Sequence, residues 1–494
     1  MKSRAGAAAA LAFLLFGART AGAQLGEDGD LIRTNSYSID LYTGPVLASS
    51  RVTGLAGAFV AMAEGVDGDL QNPASPAVRF PYSRSFFDYD LGVGISFPGA
   101  RSNTDFFNSS SGQTGLQSDF LFVNFALNLQ FGRWGFGLTT DLQQFSLDRS
   151  ESADVGVRRD QLASQVAVAR TQLAYGFADN QLVVGVGSRT GTLSVTNDSA
   201  NQAAERDLFS TVGAGIETGF VWKPNDYQFR IGGAFRSAIT TQAEPGSRVR
   251  VLYPGEAENE LWLPEQVSLP WDLNLGVAVQ FGPRPLNPRW VDPDELLVRV
   301  QRYLAWRVRE RERRRQYELD EARRAGRDVA AVRAALDTEL SMQEALDQEY
   351  LARSEALVDR KLAGRYAEMR RFHVLVMASL LISGSVDDAV GVESFLERRV
   401  QRSGESVSLS PRAAVETEAI PHWTRLRGGY YFEPSRFETS LNGARQHFTA
   451  GFDQKLFPWT VFGLFEEGTA WRAGGAIDLA RDYLGWGIAV GIWH

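Results

Sequence analysis

The chain has 494 residues, no cysteine and a formal net charge of −8 at pH 7. The missing cysteines exclude thiol catalysis and Cys-ligated metals, and the negative charge argues against nucleic acid as a partner. The length fits two or three soluble domains, or one large transmembrane barrel.

Residues 1–23 have the pattern of a secretory signal peptide. Lys2 and Arg4 supply the positive charge, Ala5–Phe16 is the apolar stretch, and Ala21-Gly22-Ala23 is an A-x-A cleavage site. We therefore expect an exported chain that begins near Gln24. No later run reaches the ~18 apolar residues of a membrane helix, which leaves a soluble exported protein or a transmembrane β-barrel.

Residues 24–82 are predicted to form a compact plug. The part before Ser50 is polar and irregular, and we expect it in the periplasm or the lumen. The stretch from Arg51 to Arg79 is rich in Gly and Ala and closes on Asn72-Pro73, which is a turn signal because the residue before Pro avoids the helical region. Gly65 and Gly68 let the backbone turn and approach other backbone closely.

This stretch resembles the N-terminal hatch of the FadL/TodX superfamily, outer-membrane transporters of long-chain fatty acids and other hydrophobic compounds. PorV-type outer-membrane proteins carry a similar stretch. The shared pattern is G-x-x-G-A-F-V-A-x-A-x-G followed by N-P-A, and the matching positions are Gly54, Gly57, Ala58, Phe59, Ala61, Asn72, Pro73 and Ala74. The resemblance implies a hatch that plugs a barrel, with a transport path along Gly54, Gly57, Phe59, Gly65, Asn72, Pro73 and Ala74.

Alternation of apolar and polar residues predicts about fourteen antiparallel strands, eight in 83–282 and six in 372–494. In the first strand, Phe87, Leu91 and Ile95 share one face, and Asp88 and Asp90 share the other. Residues 228–242 are predicted as one strand, and 459–480 as one long, bulged strand, because splitting the latter would make the count odd. The links alternate between long and short, which is typical of outer-membrane barrels.

The polar faces of these strands are predicted to line a wet lumen, because the dry core of a soluble sandwich would not tolerate so many ionisable groups. The lumen candidates are Asp88, Asn128, Asp141, Glu217, Arg230 and Asp272. We expect the carboxylates to pair with arginines such as Arg230, Arg236 and Arg425, and these pairs to hold the hatch.

The last strand carries a predicted membrane-insertion signal that the barrel-assembly machinery would recognise. Its residues are Trp486, Ile488, Val490, Ile492 and Trp493. Proteins of the resembled group usually end in an aromatic residue, whereas here His494 follows Trp493.

Residues 283–371 break the strand pattern. Asp292 and Pro293 begin one predicted helix, and a second begins near Asp328, which together indicate an antiparallel hairpin or short coiled coil. Strand parity places this hairpin in the periplasm. The basic run Arg309–Arg315 is interleaved with glutamates and predicts a solvated helix face, with a protein-docking surface at 292–371 as the alternative.

No catalytic, metal or cofactor motif emerges. The four histidines His373, His422, His447 and His494 show no metal-ligand spacing, and His447 is expected at the barrel rim rather than as a base. We therefore expect a non-enzymatic barrel in the bacterial outer membrane that contacts its lipid and passes hydrophobic molecules by passive diffusion. The alternative is a PorV-like scaffold that binds proteins without transport. A lateral gap facing the hatch would favour transport, and a sealed barrel would favour the scaffold.

Overall fold

The computed structural model describes residues 25–99, 104–110, 117–148, 161–198, 206–242, 247–251, 259–437, 443–465 and 468–494. The predicted signal peptide, its cleavage site and parts of the long links lie outside these ranges.

A closed barrel of fourteen antiparallel strands dominates the described chain, and this confirms the predicted fold class. The last strand of the chain, Tyr483–Ile492, pairs back onto the first wall strand, Phe87–Pro98, and closes the ring. In hydrogen-bonded order the strands are β2 (Phe87–Pro98), β3 (Gln117–Phe131), β4 (Trp134–Asp148), β5 (Gln161–Phe177), β6 (Leu182–Asp198), β7 (Arg206–Trp222), β8 (Phe229–Arg236), β13 (Asp272–Phe281), β14 (Val374–Ser383), β16 (Ser408–Ile420), β17 (Thr424–Glu433), β18 (Arg445–Pro458), β19 (Ala470–Ala480) and β20 (Tyr483–Ile492).

The two faces of the wall differ as the alternation predicts. Large apolar side chains such as Val277, Ile488 and Phe136 are exposed on the outside, while Asn274 and Asp453 point inward and are buried. An apolar outer surface with a polar interior suits a barrel surrounded by lipid. The wall therefore crosses a membrane, with its polar residues enclosed.

Two strand predictions were wrong in extent. The wall strand predicted over 228–242 ends at Arg236, and the following residues turn inward to form β9 (Ile239–Gln242), whose Ile239 lies beneath Gly213 of β7. The strand predicted over 459–480 begins only at Ala470, because Val461, Phe462 and Gly463 adopt positive φ in a turn. The bulge lies in β18, between Lys455 and Pro458.

A small sheet fills the barrel end where the long connections meet. It consists of β15 (Ala389–Gly391), β1 (Ser38–Asp40), β12 (Gln266–Leu269) and β9, in that order. Beside it lie the pair β10 (Arg248–Arg250) and β11 (Glu260–Trp262), the helix α5 (Val392–Glu397) and an aromatic cluster that includes Phe106, Phe120 and Phe145. The segment before Ser50 thus runs through the lumen to this end.

The plug fills the middle of the lumen. It contains the short helices α1 (Ser50–Gly54) and α2 (Gly65–Asp69) and a 3₁₀ turn at Ser75–Ala77. Helix α1 packs against β18 and β19, and the 3₁₀ turn packs against β4 and β5.

A helical hairpin extends from the opposite barrel end, where the short turns lie. Its helices are α3 (Pro293–Arg324) and α4 (Val329–Ala367), about 48 and 58 Å long at 1.5 Å per residue. The Asp292 and Asp328 side chains cap their N-termini, and Gly326 takes the positive φ of the turn between them. Within the described residues, no helix is both long enough and apolar enough to cross a bilayer.

Candidate functional site

The candidate site is the contact between the plug and the wall, and Asn72 lies at its centre. The Asn72 side-chain amide donates to the Val60 carbonyl (2.9 Å) and to the Phe220 carbonyl on β7 (3.0 Å). Its oxygen accepts from the Ala74 amide (3.0 Å), which fixes the turn around Pro73. One fully buried side chain therefore joins two parts of the plug to the wall.

Glycines let the plug approach the wall closely. At Gly57, φ is +72°, and an added Cβ would overlap the guanidinium of Arg412. At Gly65, φ is +61°, and an added Cβ would overlap the Asp90 carboxylate, which accepts from the Val66 amide at 2.9 Å. Both positions need glycine for backbone conformation and for space.

Six charged side chains connect α1 and α2 to the wall, and we call them the plug charge network. They are Arg51 and Asp67 of the plug with Glu416, Arg427, Asp453 and Arg472 of the wall. Arg51 pairs with Glu416 at 2.7 Å, and Arg472 pairs with Asp67 at 2.6 Å and with Asp453 at 3.2 Å. Arg427 joins the two halves, since it pairs with Asp453 and lies 3.4 Å from Glu416. Three positive and three negative charges balance one another in a buried setting.

A second clamp is centred on Arg230 of β8. Its guanidinium pairs with the Glu64 carboxylate (2.8 Å) and donates to the carbonyls of Met62 (3.0 Å) and Leu286 (2.9 Å). Its Nε also donates to the Asn287 side chain (2.7 Å). Arg230 therefore fixes the plug and the link that precedes the hairpin to the same point of the wall.

The pKa values of two plug carboxyls shift in opposite directions. Asp69 is fully buried beside Asn128, and burial raises the pKa of Asp69 well above its ordinary value. Burial also opposes ionisation of Glu64, but the Arg230 and Arg51 guanidinium groups outweigh it and hold the pKa of Glu64 below its ordinary value.

A cavity of about 180 Å³ lies between the plug, the wall and the inner sheet. Apolar side chains on its lining include Val46 and Leu70 from the plug and Leu381 from β14. Four arginines also reach it, namely Arg170, Arg189, Arg236 and Arg412. The cavity thus has both an apolar and a cationic part.

The predicted lumen residues lie in three settings. Arg236 pairs with Asp272 (2.8 Å) and lies 3.6 Å from Glu217, as expected, and Asp141 pairs with Arg170. Asn128 faces the plug at Asp69, whereas Asp88 is a rim residue that accepts from Ser83 (3.0 Å). Arg425 binds the His494 carbonyl (2.6 Å) rather than one of the predicted lumen carboxylates.

Strand β20 presents only part of the predicted insertion signal to the outside. Trp486, Ile488 and Val490 are 43%, 54% and 50% exposed, whereas Ile492 and Trp493 are 6% exposed each. The chain turns inward after β20, where the Arg425 guanidinium covers the Trp493 ring at 4.2 Å.

The expectation for His447 was wrong, because this side chain is fully buried inside the barrel. It lies between two carboxylates, Asp478 at 2.8 Å from Nδ1 and Glu433 at 2.6 Å from Nε2. Tyr431 donates to the same Asp478 (2.7 Å) and accepts from the Val46 amide of the plug (3.2 Å). The group is thus a further attachment of the plug. Among the described residues, no cluster of His, Cys, Asp and Glu is arranged to hold a metal ion.

Sequence reasoning missed the plug charge network. Its wall members occupy inward positions on four successive strands, β16 to β19, so the alternation contained a signal for them. Arg51 and Asp67 gave no such signal, because they lie in one-turn helices with no strand alternation and their partners are far away in the sequence.

The fold and the lumen together define a transmembrane β-barrel of fourteen strands that is filled by its own N-terminal plug. No family model matches the sequence, and no curated protein matches it either.

Solved structures similar to this chain include members of the group that the plug motif resembles. The P. putida toluene transporter TodX is similar over 91% of this chain and 98% of its own, with 11% identity and a TM-score of 0.45. A Pseudomonas aeruginosa FadL homologue matches over 94% and 99%, with 10% identity and a TM-score of 0.42. The CymD monoaromatic hydrocarbon channel matches over 91% and 97%, with 10% identity and a TM-score of 0.43. With every TM-score below 0.5, these likenesses decide neither substrate nor mechanism.

Proposed function

We propose that this chain is an outer-membrane barrel that passes hydrophobic molecules by passive diffusion when its plug shifts. The observation that carries the proposal is that the plug is not hydrogen-bonded into the strand ladder of the wall. The wall has a complete ring of hydrogen-bonded strands, and the plug is no part of that ring. The plug is instead attached by side chains such as Asn72 and Arg230. It can therefore move while the wall stays intact.

The 180 Å³ cavity between the plug, the wall and the inner sheet provides a binding site for a molecule that passes through the barrel. A molecule that leaves water for its apolar lining gains about 25 cal/mol for each Å² of apolar surface buried. Because plug residues Val46 and Leu70 form part of the lining, a bound molecule contacts the element that has to move. No energy source is needed, since diffusion follows the concentration gradient.

The closed ring by itself fits the scaffold alternative, but two local features of the wall support a route for transport. Strand β8 pairs with β7 only from Glu217 to Trp222, so the part of β7 before Glu217 has no β8 partner. Nearby, Gly232 and Gly276 lie directly over Val60 of the plug, because an added Cβ at either glycine would overlap that residue. An apolar depression of about 420 Å³ lies on the outer face of the wall at these two glycines. At this place the wall is thin, because two glycines separate Val60 from the outer face, while the β8–β13 ladder stays paired.

Replacing Asn72 and Pro73 together by alanine tests the proposal. The double variant loses the hydrogen bonds to Val60 and Phe220 and the fixed φ of Pro73, each worth roughly 0.5–1.5 kcal/mol. We expect intact barrel strands by circular dichroism, and a several-fold change in uptake of a neutral fluorescent hydrophobic probe by proteoliposomes. The control is Asn225→Ala with Pro224→Ala, another Pro-Asn pair in a short turn outside the plug. Unchanged uptake by the plug variant would contradict the proposal.

The hairpin supports a second candidate function, a scaffold that binds a periplasmic protein. Tyr303, Trp306 and Tyr350 form an aromatic cluster on the hairpin and are about half exposed. Exposed aromatic clusters are frequent centres of protein interfaces. If uptake is insensitive to the plug variant and deletion of 294–370 releases a co-purifying protein, the scaffold replaces transport as the function.

A further inference from the structure

We propose that the 180 Å³ cavity binds a compact organic carboxylate, with Arg412 as the residue that receives the negative charge. This inference names the ligand class of the cavity and rests on the proposed function for its physiological meaning. The inference starts from the buried guanidinium of Arg412, which has no carboxylate partner among the described residues.

Arg412 projects inward from β16 and is 8% exposed. Its Nε lies 3.4 Å from the Ser410 hydroxyl, its guanidinium lies 5.8 Å from the centre of the Tyr431 ring, and no carboxylate of the described residues lies within 4 Å of it. Arg51 and Arg472, by contrast, pair with carboxylates. The contact with the Tyr431 ring replaces only part of the hydration that the buried guanidinium loses, so the site favours an anion.

The other charges around the cavity do not remove this excess. Arg170 is paired with Asp141, and Arg236 is paired with Asp272 at 2.8 Å and lies 3.6 Å from Glu217. Arg189 lies 3.9 Å from the same Asp272, and its Nε has no partner. The four arginines that reach the cavity face three carboxylates, which leaves one positive charge.

The lining also selects the body of the ligand. Val46, Leu70, Leu269, Pro270 and Leu381 supply apolar surface beside the arginines. A cavity of about 150 Å³ accommodates benzene, so 180 Å³ has room for one ring with a carboxylate, whereas most of a long alkyl chain would lie outside it. Inorganic phosphate would leave the apolar side unused. The combination therefore fits a small carboxylate with an apolar body.

Binding at Arg412 would also be communicated to the plug. The space where a side chain of Gly57 would lie is occupied by the Arg412 guanidinium. A carboxylate that draws this guanidinium towards the cavity relieves its contact with the plug backbone. The ligand and the plug thus meet at the same side chain.

Calorimetric titration of the purified full-length barrel in a non-ionic detergent tests the inference. Sodium benzoate is the probe, benzyl alcohol is its neutral counterpart, and decanoate is the long-chain acid. We expect saturable benzoate binding that is at least tenfold (about 1.4 kcal/mol) tighter than binding of either comparison compound. Benzyl alcohol lacks the charge that Arg412 receives, and the alkyl chain of decanoate extends beyond the cavity.

Arg412→Gln should weaken benzoate binding by at least tenfold, whereas Arg299→Gln, which removes an exposed arginine of the hairpin, should leave it unchanged. Leu381→Trp fills the cavity without altering its charge and should abolish benzoate binding. It provides an independent test if Arg412→Gln fails to fold. Heat-dependent migration on gels reports folding of each variant.

Equal binding of benzoate and benzyl alcohol, or full binding by Leu381→Trp, would overturn the inference, and tighter decanoate binding would overturn the compact ligand class. Probe uptake that depends on Asn72 and Pro73 would leave the proposed function standing in any of these cases.

Discussion

Val277→Arg should destabilise the barrel by about 2–4 kcal/mol if its side chain is near the middle of the bilayer. Val277 lies on β13, points outward and is 46% exposed. An arginine there places a charge in hydrocarbon, where no carboxylate or water meets it. The measurement is the free energy of unfolding in lipid vesicles, obtained by urea titration.

Val308→Arg is the matched control, because Val308 is similarly exposed at 55% but lies on the hairpin helix α3. In water the same substitution should change stability by less than about 0.5 kcal/mol. Equal effects at the two positions would mean that the outer face of β13 is not in lipid.

Arg472→Met should be the most disruptive single change in the plug charge network. It leaves Asp453 with Arg427 alone, and it leaves Asp67 of the plug with only Arg51, 4.0 Å away. Breaking a buried ion pair costs about 3–5 kcal/mol. Because Asp67 belongs to the plug, we expect the loss to loosen the plug first. Protease cleavage within residues 50–80 of the folded barrel should become faster.

Arg323→Met provides the comparison, since Arg323 pairs with Asp320 on an exposed helix surface. Exposed pairs contribute at most about 1 kcal/mol, so its plug should stay protected. If Arg472→Met leaves both stability and plug protection unchanged, the network does not hold the plug.

The wall was predictable because its signal is local. In each strand, apolar residues that face outward alternate with polar residues that face the lumen, and the sequence contains fourteen such segments. The exceptions share a cause. Ile239–Gln242 alternates like a wall strand, yet the chain leaves the wall after Arg236 to cover the inner side of β7. Only the arrangement of other elements decides between those two positions, so periodicity could not.

The site was less predictable because its contacts join distant parts of the chain. The turn at Asn72 was foreseeable from Asn-Pro, but its bond to Phe220 spans 148 residues, and that between Arg51 and Glu416 spans 365. Alternation predicts which wall residues face inward and says nothing about which plug residue meets them. The unpaired state of Arg412 is likewise a property of the assembled lumen.

Reversible locking of the plug tests the central claim most directly. The chain has no native cysteine, so a new pair is the only thiol pair present. The Ser50 hydroxyl lies 2.9 Å from the place where a Cβ at position 474 would lie. A sulfur at position 50 would therefore be within reach of a sulfur on that Cβ, as an S–S bond of about 2.05 Å requires. The Asp453 side chain has to shift, and Gly474→Cys alone controls for that. In proteoliposomes that contain Ser50→Cys with Gly474→Cys, uptake of the neutral hydrophobic probe should be at least several-fold slower when oxidised, and reduction should restore it. Equal uptake in the oxidised and reduced states would contradict a route that the plug opens.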